Sequence, residues 1–340
     1  MVQPANNYWD WYRQGEMLRS RGKNEEAVAS YDQAIAHHPS DYWAWYQRGI
    51  TLDELEQWEA AVASYDKALE SKPSDFWAWY QRAQALRQMK RPLDALTSYD
   101  HALEVRPSDY WAWYNRGCVA LYDLNDYEEA LVSFDQALAA RPDAWVWYRR
   151  GEVLQKMGRY EDALASYEAA IDRRANASWA WHRRGKVLDL LEKWEEAVAS
   201  YDKAIEIAPD NSVYWYDRGI SLDELGHYEA ALVSYDKAIK VNSHNYWGWY
   251  QRGQVLDQLG KHQEAIASYD QAIACQPNWE SWGDQFGQLA SWVWQDRGKA
   301  LYELGRYSEA IASFDKVLDI KPNDLDAQKL KYDCQFELGC

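Results

Sequence analysis

The phrase Asp41-Tyr42-Trp43-Ala44-Trp45-Tyr46-Gln47-Arg48-Gly49 returns as Asp75-Phe76-Trp77-Ala78-Trp79-Tyr80-Gln81-Arg82-Ala83. It returns again as Asp109-Tyr110-Trp111-Ala112-Trp113-Tyr114-Asn115-Arg116-Gly117, a step of 34 residues each time. A fixed period of this size defines an array of small supersecondary units, each too small to bury a core alone and so obliged to stack on its neighbours. The 340 residues leave room for nine units plus ends, so the chain reads as one quasi-linear domain.

The second tryptophan of the phrase recurs as Trp11, Trp45, Trp79, Trp113, Trp147, Trp181, Trp215, Trp249 and Trp294. Four residues after each comes glycine, or Ala83 in the third repeat. Trp45, Gly49 and Leu52 fall at i, i+4 and i+7, one stripe of a helix; Ala61, Tyr65 and Ala68 repeat that spacing on a second helix. Small Gly49 and Ala61 let the two helices approach, and Trp45 is expected to fill the space beside them. Asp41, Asp75 and Asp109 are placed as N-caps, and Pro73 and Pro107 end second helices. Gly22, Gly158, Gly226, Gly260 and Gly305 supply C-caps at the turn inside five repeats.

This pattern, W-x3-G…A-x3-Y/F-x2-A…P over roughly residues 8–322, resembles the tetratricopeptide repeat (TPR). The phrases A-W-Y-x-R-G and A-S-Y-D-K-A resemble those of bacterial, especially cyanobacterial, arrays. The resemblance implies an all-α, right-handed solenoid of about nine helix-turn-helix repeats, with the first helices lining its concave face. The repeats are expected at about 8–41, 42–75, 76–109, 110–143, 144–177, 178–211, 212–245, 246–279 and 291–324, with a polar capping helix over 325–338.

Local departures mark where the array bends its own rule. The fourth repeat carries one extra residue near Tyr122–Asp126, and Pro92 opens a second helix. Ala175 and Ser243 stand where a closing proline is expected. An aromatic insertion over 278–290, with Trp279 and Trp282, reads as a lid over the groove, a docking loop, or a junction that packs its own rings.

With the second tryptophan as the core direction, the first points about 160° away. This outward series is Trp9, Trp43, Trp77, Trp111, Trp145, Trp179, Trp247 and Trp292, broken by Val213 in the seventh repeat. One turn on come polar groups, among them Gln47, Gln81, Asn115, Arg149, Arg183 and Gln251. A contiguous aromatic stripe marks an interaction surface. An indole with an amide or guanidinium one turn away suits an extended peptide, the ring stacking on side chains while the polar group holds backbone amides. The same stripe fits two other readings: a glycan whose sugar rings stack on the indoles, or self-association into a homodimer. A fourth is structural, with the indoles packed on neighbouring tyrosines to stiffen the stack.

Two further recurrences are read as scaffold. Arginine precedes the glycine in eight repeats, and Asp or Glu follows the second-helix aromatic, so a ladder between repeats such as Asp66 with Arg82 is expected. Ser64 and its equivalents recur nine times, whereas a nucleophile is needed once. Without H-E-x-x-H, P-loop or dinucleotide fingerprints, and with four cysteines in no metal spacing, the sequence predicts no enzyme, no metal and no cofactor.

The formal net charge is −17. That disfavours nucleic acid and anionic membrane as partners and fits a basic or repetitive protein or peptide. No signal peptide or spanning segment is visible, so a reduced, cytoplasmic setting is expected.

Overall fold

A computed structural model describes residues 7–275 and 284–339, and among them every regular element is helical. Trp279 and Trp282 lie outside the described residues, and with them the three readings of the insertion. The chain divides into two compact units, split between Arg173 and Arg174. The first holds α1 (Tyr8–Ser20), α2 (Asn24–His37), α3 (Tyr42–Glu54), α4 (Trp58–Ser71), α5 (Phe76–Gln88), α6 (Pro92–Val105), α7 (Tyr110–Cys118), α8 (Tyr127–Ala140), α9 (Ala144–Lys156) and α10 (Tyr160–Arg173). The second holds α11 (Ser178–Leu190), α12 (Trp194–Ile207), α13 (Ser212–Glu224), α14 (Tyr228–Val241), α15 (Tyr246–Gln258), α16 (His262–Ala274), α17 (Asp284–Glu303), α18 (Tyr307–Ile320) and α19 (Leu325–Glu337). Within each unit every odd-numbered helix packs against the even-numbered helix that follows it, and that helix packs against the next pair. Each unit is an all-α solenoid segment.

The helix pairs close where a glycine meets a ring. A Cβ added to Gly49 would lie 2.5 Å from Tyr65 Cε1, and one added to Gly253 would lie 2.4 Å from Tyr269 Cε1. The second-helix tyrosines, from Tyr31 to Tyr269, are fully buried in this position, as are Phe134 and Phe314. This corrects the expectation for Trp45. Tyr65 already fills the space beside Gly49, so Trp45 sits half-buried at the junction between repeats, against Ala34, Ile35 and Ala44. Its Nε1 donates to the Pro39 carbonyl at 2.7 Å, a backbone acceptor that the end of α2 leaves open. Trp79, Trp113 and Trp215 repeat the bond to Pro73, Pro107 and Pro209. Because a carbonyl is the acceptor, the bond survives where Ala175 and Ser243 replace proline, at 3.0 Å from Trp181 and Trp249.

The expected ladder is present and goes further than a carboxylate pair. Arg82 Nε donates to Asp66 at 2.7 Å, while its Nη1 donates to Ser98 Oγ at 2.6 Å. Ser98 in turn donates to the Asp94 carbonyl, and the guanidinium lies 5.6 Å from the Trp79 ring centre. One arginine thus joins the preceding repeat's carboxylate, its own second helix and its own junction tryptophan. Arg48, Arg116, Arg150, Arg218 and Arg252 bind Asp32, Asp100, Asp135, Asp202 and Asp236 and their own second-helix serines in the same way, and all but Arg218 also lie over their own junction tryptophan. Arg297 reaches Asp270 across 27 residues where Arg82 spans 16, so the rung holds across the insertion. The recurrent serines are scaffold, as expected.

Turns inside the repeats need one left-handed residue. The five predicted glycines have φ between 70° and 74°, but Glu56, Lys90, Asn125 and Glu192 take the same conformation at φ 56–58°. In the fourth repeat the extra residue becomes a π-helical turn over Val119–Leu124, the wider helix that absorbs one residue without breaking the first helix.

The last helix, α19, follows the plan of a first helix: Asp324 caps it, Gln328 Nε2 donates to the Pro322 carbonyl in place of an indole, and Lys331 reaches Asp315 at 2.6 Å. Tyr332 occupies the glycine position. Leu325, Tyr332 and Phe336 on α19 are exposed.

Two outcomes follow from this packing. Glu56→Gly, Lys90→Gly and Glu192→Gly should each stabilise the chain by roughly 0.5–1 kcal/mol, because the left-handed conformation is free of Cβ strain only for glycine; a lower denaturation midpoint would contradict this. Arg82→Glu should destabilise by roughly 1–3 kcal/mol, since it removes two bonds and sets like charges together; an unchanged urea midpoint would show that the rung contributes nothing.

Candidate functional site

With the second tryptophans pinned at the junctions, the first series is left on the outer side of the odd-numbered helices. Trp9, Trp43, Trp77, Trp111, Trp145, Trp247 and Trp292 keep between 38% and 60% of their surface exposed, and Trp179 is half-buried. In the first unit a cleft of about 400 Å³ opens beside Trp9, lined by Tyr8, Asp10, Arg13 and His38.

The orientation of each indole follows from the residue before it. Tyr42, Phe76 and Tyr110 meet Trp43, Trp77 and Trp111 edge-on at 4.9–5.0 Å with interplanar angles of 76–78°, and Tyr80 and Tyr114 meet Trp77 and Trp111 edge-on as well. At Trp145 the preceding residue is Ala144. The ring there lies flat on Tyr148, 5.1 Å between centres, and its Nε1 donates to the Tyr114 hydroxyl at 2.8 Å. Trp145 is therefore partly used by the array itself.

The polar groups one turn on serve neighbouring first helices. Gln47 Oε1 accepts from Arg19 Nη1 at 2.9 Å, and Arg19 also pairs with Glu54 at 2.6 Å. Asn115 donates to the Tyr80 hydroxyl at 2.7 Å and to the Trp111 carbonyl. Arg149 pairs with Glu152 at 2.8 Å and touches the Tyr122 hydroxyl. Gln81, Arg183 and Gln251 are half-buried at the equivalent places. These bonds knit α1 to α3, α5 to α7 and the π-helical turn to α9 across the face that carries the indoles.

Carboxylates shape the second unit's version of this face. Asp217, almost fully buried, takes His182 Nε2 at 2.7 Å and Lys186 at 3.3 Å. Asp296 accepts from Tyr250 and Gln254. Burial raises the carboxyls of Asp189, Asp223 and Asp257 above the usual range. In the first unit, burial pushes Asp53 up to about 6, and one of its oxygens lacks a hydrogen-bond partner while the other accepts from Tyr65.

The sequence singled out the indoles but missed their companions. His38, Lys72, Arg106 and Arg141, each just before a closing proline, lie beside the aromatic residue that precedes an outward tryptophan. Their recurrence at one position was the available signal; proline's role as a helix stop absorbed it. Cys118, in the variable position after the glycine, is buried, and burial pushes its thiol up. Among the described residues no cluster of His, Cys, Asp or Glu is placed to hold a metal, and no helix is long and apolar enough to cross a membrane.

Stacked helix pairs with a recurrent side-chain ladder define a repeat scaffold of the kind that binds proteins. Sequence profiles described as tetratricopeptide repeat match residues 12–76, 76–117, 142–210, 216–278 and 291–324, and one described as TPR repeat matches 120–158. The chain belongs to the tetratricopeptide repeat family, whose members bind proteins or peptides and are generally non-catalytic. It is similar to the C-terminal part of a TPR repeat-containing protein from Cytophaga hutchinsonii, at 17% identity over 74% of this chain and 98% of that one, with a TM-score of 0.63. A tetratricopeptide repeat protein from Parabacteroides merdae matches at 17% identity over 73% and 98%, with a TM-score of 0.50. YrrB, described as a TPR protein with an unusual peptide-binding site, matches at 27% over 54% and 95%, with a TM-score of 0.48. No match is found among curated protein sequences.

The Asp53 geometry predicts a pH response. Its folded pKa of about 6 lies above the ordinary 3.8, so its contribution to stability is fully present below about pH 4 and is lost as pH rises through 6. Asp53→Asn should flatten the stability profile across that window and stabilise the chain at pH 7. Parallel profiles for the two proteins in urea denaturation would refute the assignment.

Proposed function

We propose that the chain is a non-catalytic scaffold that binds an extended peptide or tail of a protein partner along the outward indoles. Trp43, Trp77 and Trp111 form the best-formed run in the first unit; Trp9 and Trp145 flank it, and Trp179, Trp247 and Trp292 continue the series in the second. One observation carries the reading: these indoles stay exposed on a face whose other side chains are hydrogen-bonded into a rigid surface. Large aromatics held by edge contacts on a pre-ordered surface bind without the entropy cost of ordering a loop. Gln47, Gln81, Asn115 and Gln251 would offer remaining amide donors or acceptors to the peptide backbone, with Arg149 and Arg183 as charged equivalents. Carboxylates on the second unit's face favour a basic stretch of the partner there.

A display library of random extended peptides, selected against the intact chain, tests this. Trp77→Ala/Trp111→Ala should keep the helical signal and denaturation midpoint while weakening the selected peptides tenfold or more. Equal affinity for both proteins, or binding to a glycan array in place of peptides, would overturn the reading.

A further inference from the structure

Three outward tryptophans of the first unit share a neighbour that stacking alone does not require. Lys72, Arg106 and Arg141 are the C-cap residues of α4, α6 and α8. Each lies on the aromatic residue that opens its own repeat, just before that repeat's outward indole. Lys72 Nζ is 4.8 Å from the Tyr42 ring centre and 5.9 Å from that of Trp43. Arg106 Cζ is 4.4 Å from Phe76 and 5.4 Å from Trp77. Arg141 Cζ is 3.6 Å from Tyr110 and 5.5 Å from Trp111.

A cation at a helix C-terminus is favoured by the helix dipole, and that accounts for the sign of the charge. It does not account for what each cation does next. Lys72 is neutralised by Asp75 at 2.7 Å. Arg106 and Arg141 are exposed, and among the described residues no ion pair joins a carboxylate to either. A guanidinium held against a ring keeps a planar fork of N–H donors, pre-ordered and matched to a carboxylate. In the second unit the residues at the same C-cap position include uncharged Ala208 and Asn242, and Lys321.

We propose that Arg106 with Trp77 and Arg141 with Trp111 are two successive subsites for the carboxylate side chains of an extended peptide. The guanidinium edge takes the carboxylate, and the exposed indole beside it takes the neighbouring part of the ligand. This rests on the peptide reading above and adds a preference that the net charge of −17 opposes. The opposition acts mainly at a distance, where salt screens it beyond about 8 Å; a contact pair against a ring is screened far less. The bulk charge therefore governs approach, and the local fork governs which side chain is kept.

The test uses the full chain and synthetic 15-residue peptides of Gly, Ser, Leu and Tyr. They carry two Glu, two Gln or two Lys at matched places, with the spacing between the pair varied, and binding is read by tryptophan fluorescence. At least one Glu peptide should bind tenfold or more tightly than its Gln counterpart. Arg106→Gln/Arg141→Gln should erase that advantage without altering affinity for the Gln peptide or the denaturation midpoint, and Arg106→Lys/Arg141→Lys should retain part of it. Glu and Gln peptides that bind alike at every spacing, or a Glu advantage that survives in the Gln variant, would overturn the subsites. The broader reading would then still stand if Trp77→Ala/Trp111→Ala abolished binding of all these peptides. Tightest binding by the Lys peptides would overturn the subsites alone; no binding by any peptide would overturn both.

Discussion

The structure depends on a single rung repeated along each unit: an arginine that holds the preceding repeat's aspartate, its own second helix's serine and the face of its own junction tryptophan. Hydrophobic contact sets how closely two helices pack, but it is tolerant of sliding along the helix axis. A guanidinium with three directional partners is not, so it fixes the register of one repeat on the next. The pinned indole contributes in the same sense, since its N–H is spent on the junction carbonyl. The pairs are half-exposed and individually modest; their effect comes from recurrence.

Fixed register has a functional consequence. Once the first helices lie side by side in constant phase, every outward indole of a unit falls on the same face. Side chains that would otherwise move freely are tied across that face: Arg19 to Gln47, Asn115 to Tyr80, Arg149 to Tyr122. What remains unspent is flat aromatic surface and, beside two of the rings, guanidinium edges. A surface with most of its polar groups satisfied discriminates by the few that are left.

Much of this was legible in the residues. The 34-residue period, the aspartate N-caps, the left-handed glycines and the pairing of Asp66 with Arg82 all follow from local chemistry repeated at one spacing. Helical periodicity also separated the two tryptophans by direction. It could not say what each would meet, because that depends on the adjacent repeat. Periodicity gives Trp45 the space that Tyr65 occupies, and the junction carbonyl that holds it belongs to a loop that periodicity does not describe. The cations over Phe76 and Tyr110 were hidden for a related reason: each stands at the end of a repeat and acts back on the residue that opens the same repeat, a contact made by the fold and not by helical spacing. The extra residue of the fourth repeat was visible, but a loop and a π-helical turn share one sequence signal.

The most direct test of the account is the division of labour within each tryptophan pair. Fluorine NMR of 5-fluorotryptophan-labelled protein, assigned by single substitutions, reports each ring's access to a water-soluble paramagnetic agent. The account predicts strong relaxation of Trp43, Trp77 and Trp111 and weak relaxation of Trp45, Trp79 and Trp113. Equal relaxation across both series, or protection of the outward rings, would contradict it.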